Sequence, residues 1–266
     1  MIVAERSGRF VLTTNDDHAR MAGQLAGMLS KAVLPEKQRR KEFVYAVAEH
    51  DRSWIELDTA PIWNERAEKP FSITDYPLVI RLPHYLRGLD EVAKMSPYAG
   101  LLCSMHYTTL PPDALKGAAG GANSQLFSVI KAVKQREMET IGQLKLHGDE
   151  EMRLLEKHFK LLQMLDRLSL WLCTRCFGDD PADAADPYRL MFGSVEEGFR
   201  HDGIELRWSA RKAVRVKPFL WNGPVMLTWK RKEIPASLAR EIGLTRAWQE
   251  SPFRRTRIQL LPEEDE

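Results

Sequence analysis

The sequence contains few cysteines and no long uninterrupted apolar segment. Only 3 of its 266 residues are cysteine, and this odd number argues against a disulfide framework. The most apolar stretch, residues 168–177, is too short to span a bilayer and contains Arg175. The first residues lack the apolar core of a secretory signal. We therefore expect a cytoplasmic protein without membrane attachment.

Net charge is also small, at +2, so the chain as a whole has no strong attraction to polyanions. The charge is uneven, however, because residues 200–257 contain 14 Lys and Arg against 5 Asp and Glu, and residues 263–266 are all acidic. The basic region could steer an anionic substrate or contact nucleic acid. Since no recognised nucleic-acid motif is present, we expect a solvated basic face and no nucleic-acid partner.

Two further motifs lack the residues that would give them a function. The glycines at positions 117, 120 and 121 are not followed by the Gly-Lys-Ser/Thr of a phosphate-binding loop. Cys173-x-x-Cys176 ends a predicted helix, whereas redox pairs usually begin one, and no further pair of zinc ligands is evident at a suitable spacing. We interpret the cysteines as packing residues.

Polar residues on apolar helical stripes are the main positive signal. His18 falls at helical spacing with Ala22, Leu25 and Leu29. Three more helices show the same pattern, with His50 in a helix running from about residue 38 past residue 51, His106 in a helix that starts near residue 96, and Asp166 in one covering about residues 151–176. A buried polar group is costly unless something pairs with it, and a shared metal ion could pair with several.

The dipeptide His50-Asp51 lies at the centre of this pattern. Leaving His106 aside, the set comprises two imidazoles and two carboxylates, from His18, His50, Asp51 and Asp166. These ligands suit Mn, Fe, Zn, Co or Mg, and packed helices are a common place to build such a site. The sequence therefore predicts a divalent metal site with one or two ions.

This order of residues resembles the HD superfamily of metal-dependent phosphohydrolases. The family pattern is a His on one helix, His-Asp on the next and a final Asp on a late helix. The resemblance implies metal ligation by His18, His50, Asp51 and Asp166. His106 corresponds to the additional histidine that some members use for a second metal or for phosphate binding, and His84 is the other candidate for such a role.

The whole chain also resembles a bacterial family named domain of unknown function 3891. The resemblance is carried by Asp17-His18-Ala19, His50-Asp51-x-x-Trp54, Leu101-Leu102-x-Ser104-x-His106 and Pro218-Phe219. The sequence departs from that family at Ser53, where the family tends to have glycine before the tryptophan. We therefore expect the turn after His50-Asp51 to differ.

A bound ion would define the chemistry of the remaining candidates. It lowers the pKa of bound water, with Asp51 as a ligand and as the hydrogen-bond acceptor for that water, and Asp51 and His106 are the expected catalytic residues. Three arginines adjacent in sequence to proposed ligands could clamp phosphate oxygens, and one tryptophan could stack on a base; they are Arg20, Arg52, Arg167 and Trp54. Exposed arginines and a packed tryptophan are the alternative interpretation.

These observations predict a mainly α protein. We expect an HD-type helical bundle over residues 1–178, including a short N-terminal strand region, a small strand-rich α+β module over residues 188–262 and an acidic tail at 263–266. The expected function is metal-dependent hydrolysis of a small phosphate ester, nucleotides included. A non-catalytic metal or nucleotide sensor and a di-iron oxygenase remain alternatives, and a homo-oligomer is left open.

Overall fold

The computed structural model describes residues 1–37, 39–109, 122–175, 188–192, 198–201 and 203–264. Within these ranges a layer of helices packs against a curled β-sheet. The helices are α1 (Asn15–Met28), α2 (Arg40–Glu49), α3 (Leu78–Met95), α4 (Pro97–Thr109), α5 (Ala122–Gln143), α6 (Asp149–Thr174), α7 (Arg189–Phe192), α8 (Ala236–Ile242) and α9 (Leu244–Glu250). The strands are β1 (Ile2–Arg6), β2 (Arg9–Thr13), β3 (Trp63–Asn64), β4 (Lys69–Pro70), β5 (Phe199–His201), β6 (Ile204–Ala210), β7 (Ala213–Lys217), β8 (Val225–Pro235) and β9 (Arg254–Pro262).

The N-terminal strand region forms a tight hairpin. Its turn residues Ser7 and Gly8 have φ angles of 48° and 70°, and positive values at both positions match the twist of the flanking strands. Beyond the turn, β2 pairs antiparallel with β8, so that Phe10 lies opposite Ile234. The hairpin is thereby joined to strands from the far end of the sequence.

The predicted fold class, mainly α with a small C-terminal module, is wrong. Seven strands form one sheet in the order β1-β2-β8-β9-β7-β6-β5, and the chain has a substantial α+β fold. The β7–β9 pair is parallel, and the other pairs in this sheet are antiparallel. Local sequence patterns identify single strands, but they carry no information about pairing between strands at opposite ends of a chain.

Helices and sheet share one apolar core. This core contains Leu25 of α1, Trp171 of α6 and Leu227 of β8. The indole Nε1 of Trp221 also donates to the Leu25 carbonyl at 3.0 Å, which ties α1 to the sheet. The predicted domain boundary falls within residues 176–187, outside the described residues, and the division into domains stays a prediction.

The surface of the sheet carries much of the basic charge. Lys230 of β8 is exposed and lies directly opposite the exposed Arg255 of β9. Like charges in such a pair are destabilising, and solvent reduces the repulsion by screening.

Among the described residues, no helix is long and apolar enough to cross a membrane.

Candidate metal centre

Five predicted site residues from four parts of the helical layer meet in one cluster. His18 lies in α1, His106 in α4 and Asp166 in α6, and the pair His50-Asp51 follows directly after α2. All three histidines are buried. The structure therefore brings these five residues together, although His84, the other histidine considered for such a role, is not among them.

The spacing of the ligand atoms fits a single ion. Nε2 of His18 and Nε2 of His50 lie 2.9 and 3.2 Å from Asp166 Oδ1, and 3.9 and 3.8 Å from Asp51 Oδ2. Metal–ligand bonds of about 2.1 Å place neighbouring ligand atoms about 3 to 3.5 Å apart. The distances to Asp166 agree with this spacing, and those to Asp51 exceed it by about 0.3 to 0.4 Å.

The cluster contains two overlapping groups that could hold an ion. One comprises His18, His50 and Asp51, and the other comprises His50, His106 and Asp166. Both groups depend on Nε2 of His50, since its Nδ1 lies 2.8 Å from the Val47 carbonyl. An imidazole nitrogen has one lone pair and cannot serve two ions. The two groups therefore cannot both hold an ion through His50 at the same time.

Hydrogen bonds fix the orientation of two of the three imidazoles. The Val47 carbonyl can only accept, so His50 Nδ1–H donates to it. Ser169 Oγ donates to the Asp166 carbonyl at 2.9 Å and therefore accepts from His18 Nδ1–H at 2.9 Å. With Nδ1 as the donor, Nε2 of each ring is directed at the cluster, which is the usual arrangement of histidines that bind metals.

The third imidazole, that of His106, is held less firmly. Its Nε2 lies 3.8 Å from Asp166 Oδ2, and its ring packs edge-on against His50 with centroids 5.3 Å apart. Among the described residues, Nδ1 of His106 has no hydrogen-bond partner although it is buried. This ring can therefore change its proton or its tautomer without breaking a bond to a neighbour.

The electrostatics of the cluster are those of a buried ion pair. Burial lowers the pKa of His50, but the Asp51 charge and the bond and charge of Asp166 outweigh it and raise that pKa to about 9. Burial would raise the pKa of Asp166, yet hydrogen bonds from His18 and His50 bring it well below its usual value. Burial lowers the pKa of His106. A metal ion would thus have to displace a proton from His50.

The two oxygens of Asp51 have different surroundings. Oδ2 faces His18 and His50, whereas Oδ1 lies 3.5 Å from the Tyr107 hydroxyl. That hydroxyl also contacts Ser53 Oγ. Burial raises the pKa of Tyr107 well above its usual value, so the phenol keeps its proton.

Close helix packing places these side chains within reach of one another. A Cβ added at Gly23 of α1 would lie 2.6 Å from the Ala48 Cβ of α2, and one added at Gly88 of α3 would lie 2.6 Å from the Ser53 backbone. Both distances are far below van der Waals contact. These glycines permit α1 to approach α2, and the turn at 52–54 to approach α3.

The four residues that the sequence predicts to contact substrate lie in ion pairs, at the partly buried surface or in the core. Arg20 pairs with Asp16, and Arg52 pairs with Glu49 and Glu91. Arg167 is half-buried. Trp54 is only 3% exposed and packs edge-on against Tyr76 and Tyr85, so its ring forms part of the core and is not positioned to stack on a base.

His84 lies apart from the cluster, beside Arg87 and Glu56. Cys173 is buried, as a packing role predicts, whereas Cys176 lies outside the described residues, as do the glycines at 117, 120 and 121.

The sequence patterns did not identify Ser53, Tyr107 and Ser169 as partners of the site residues. Ser169 follows Asp166 by three residues, and that helical spacing could have identified it.

The centre is open on its carboxylate side. The side chains of Asp51 and Asp166 are 13% and 17% exposed, against 0–2% for His18 and His50. A structural metal site is normally closed by protein ligands on all sides, whereas a catalytic one keeps a position for water or substrate. In this cluster the two carboxylates are the groups that solvent can reach.

Fold and site together define an α+β protein with a buried His/Asp cluster that could hold a metal. Residues 1–236 match the family described as "Protein of unknown function (DUF3891)", and the chain belongs to that family. No curated protein and no solved structure matches the chain.

Proposed function

We propose that this protein is a hydrolase that uses one divalent ion, bound by His18, His50, Asp51 and Asp166, to cleave a phosphate ester. The observation that carries the proposal is the convergence of these ligands, with two Nε2 atoms aimed at one point by bonds at Nδ1. Their order along the chain, which resembles the HD superfamily, supports a phosphoryl substrate. The exposed carboxylate side supports turnover in preference to a purely structural ion.

The residues have separable roles in this proposal. A divalent ion in this position lowers the pKa of bound water and offsets charge on a phosphoryl oxygen. Asp51 and Asp166 supply the negative charge that balances the ion. His106, whose pKa burial lowers, is neutral near pH 7, so its imidazole can take up a proton at Nε2 beside Asp166 and give the same proton up again in a later step.

The test uses protein expressed without a metal-affinity tag. Metal content is measured first, and hydrolysis of p-nitrophenyl phosphate, bis-p-nitrophenyl phosphate and nucleoside triphosphates is then followed with Mn, Co, Fe, Zn and Mg. We expect about one equivalent of metal and turnover of at least one ester class, both lost in His50→Gln. His158→Gln is the matched control, because His158 is equally buried but bonds to Tyr98, away from the cluster.

Other outcomes would replace this function. A protein that binds one ion tightly and turns over no ester would be a metal-binding sensor. Ferrous-dependent oxygen uptake with two irons bound would indicate an oxygenase. If wild-type protein contained no more metal than His50→Gln, the metal centre itself would be overturned.

A further inference from the structure

The environment of Asp51 suggests how its carboxylate binds an ion. Asp51 is the residue before the short 3-10 turn Arg52–Trp54, so the helical hydrogen bonds of α2 do not hold it. A carboxylate in such a position can bind through one oxygen or both. Its Oδ2 is directed at His18 and His50, and its Oδ1 lies 3.5 Å from the hydroxyl of Tyr107.

The direction of the hydroxyl contacts follows from the chemistry of the groups. An ionised carboxylate only accepts hydrogen bonds, so the Tyr107 O–H donates to Asp51 Oδ1. The Tyr107 oxygen then accepts, and the Ser53 hydroxyl must be the donor in the contact between them. The result is a chain of two hydroxyls, from Ser53 through Tyr107 to Asp51.

Packing on both hydroxyl residues holds this chain in place. The Tyr107 ring lies on the Tyr85 ring, with centroids 4.5 Å apart. Ser53 is fixed against α3 at Gly88, where a Cβ would lie within 2.8 Å of the Ser53 Cβ. Both hydroxyl residues are at most 9% exposed, so water competes little for their hydrogen bonds.

We propose that Tyr107 and Ser53 are positioning residues that occupy Oδ1 of Asp51 and leave Oδ2 alone to bind the metal ion. This inference rests on the metal centre of the proposed function. Groups that orient a metal ligand typically change metal affinity by about 10- to 100-fold. Fixing Asp51 as a one-oxygen ligand keeps a coordination position for water.

The chain offers a matched control for the test. Tyr85→Phe removes a buried phenol hydroxyl from the ring that packs at a tilt of 36° against Tyr107, and that hydroxyl interacts with Arg81. Tyr107→Phe, Ser53→Ala and Tyr85→Phe are compared with wild-type protein. The readouts are the Kd for Co²⁺, from competition with a chromophoric chelator, the visible spectrum of bound Co²⁺, and the Tm without metal.

We expect Tyr107→Phe to weaken Co²⁺ binding by about 10- to 100-fold and to alter the visible bands, because both oxygens of Asp51 can then reach the ion. Ser53→Ala should weaken binding less, and Tyr85→Phe should leave Kd and spectrum unchanged even if its Tm falls. Equal Kd values for Tyr107→Phe and wild type, or equal losses in Tyr107→Phe and Tyr85→Phe, would overturn the positioning role. Absence of Co²⁺ binding by wild-type protein would instead overturn the metal centre.

Discussion

Around His18 and His50 each imidazole has a fixed partner at Nδ1, whereas around His106 none is found among the described residues. Both regions face Asp166, yet His18 and His50 lie 2.9 and 3.2 Å from it, and His106 lies 3.8 Å away. Bonds at Nδ1 select a tautomer and fix the ring for metal binding. In the proposed function, this difference assigns two histidines to the ion and the third to proton transfer.

The largest expected effect is that of Asp166→Asn. This change removes the carboxylate charge that both fixed imidazoles face and leaves an amide, a poor ligand for a divalent ion. We expect metal affinity to fall by more than about 100-fold, beyond the effect of groups that only orient a ligand, and ester hydrolysis to reach background. Metal titration checks this; unchanged affinity would remove Asp166 from the centre.

His106→Asn should have a smaller effect, and the quantity that changes is the rate of hydrolysis instead of the metal affinity. General acid–base groups typically contribute about 10²- to 10⁴-fold to rate, so kcat should fall in that range while bound metal is retained. Steady-state kinetics with excess metal measures it. If extra metal restores the rate, His106 acts as a ligand and the distinction between the two regions is lost.

Ser169→Ala should have a milder effect, on affinity alone. It removes the oxygen that accepts from His18 Nδ1–H, and we expect metal binding about 10- to 100-fold weaker. Ser72→Ala is the matched control, since Ser72 is a buried serine that bonds to Tyr188 outside the centre. Similar affinities in the two variants would contradict the role of Ser169.

His158 provides the smallest expected effect on the centre, because it lies outside it. Burial lowers its pKa to about 4, against about 6.5 in an unfolded chain. Between pH 6.5 and 4 the unfolded chain binds a proton on His158 and the folded protein does not. The free energy of unfolding therefore falls by up to about 3 kcal/mol as the pH drops from 6.5 to 4, and His158 causes no such loss above pH 6.5. Urea unfolding of wild type and His158→Gln at several pH values measures it. We expect the difference between them to shift by that amount, whereas a constant difference would contradict it.

The sequence predicted which polar residues come together better than it predicted the fold around them. His18, His50, His106 and Asp166 could be found because a polar residue on an apolar helical stripe requires a partner. The pairing of β2 with β8 could not be found in this way, because the two strands are far apart in sequence and the local pattern of one strand does not specify its partner. The fold class was wrong for this reason.

The outer partners of the site show the same limit. Ser53 and Tyr107 lie 54 residues apart, and their contact depends on how the turn at 52–54 packs against α3 and α4. Helical periodicity does not encode that packing. Of the ion pairs of Arg20 and Arg52, those with Asp16 and Glu49 lie at helical spacing and could have been expected, whereas only the folded chain brings Glu91 to Arg52.

The most direct test of the central claim is metal stoichiometry, measured side by side in wild type, His18→Asn and His106→Asn purified without a metal-affinity tag. We expect about one equivalent in wild type, almost none in His18→Asn and about one in His106→Asn, since His50 is common to both groups that could hold an ion. Two equivalents in wild type, or loss of metal in His106→Asn with retention in His18→Asn, would contradict it.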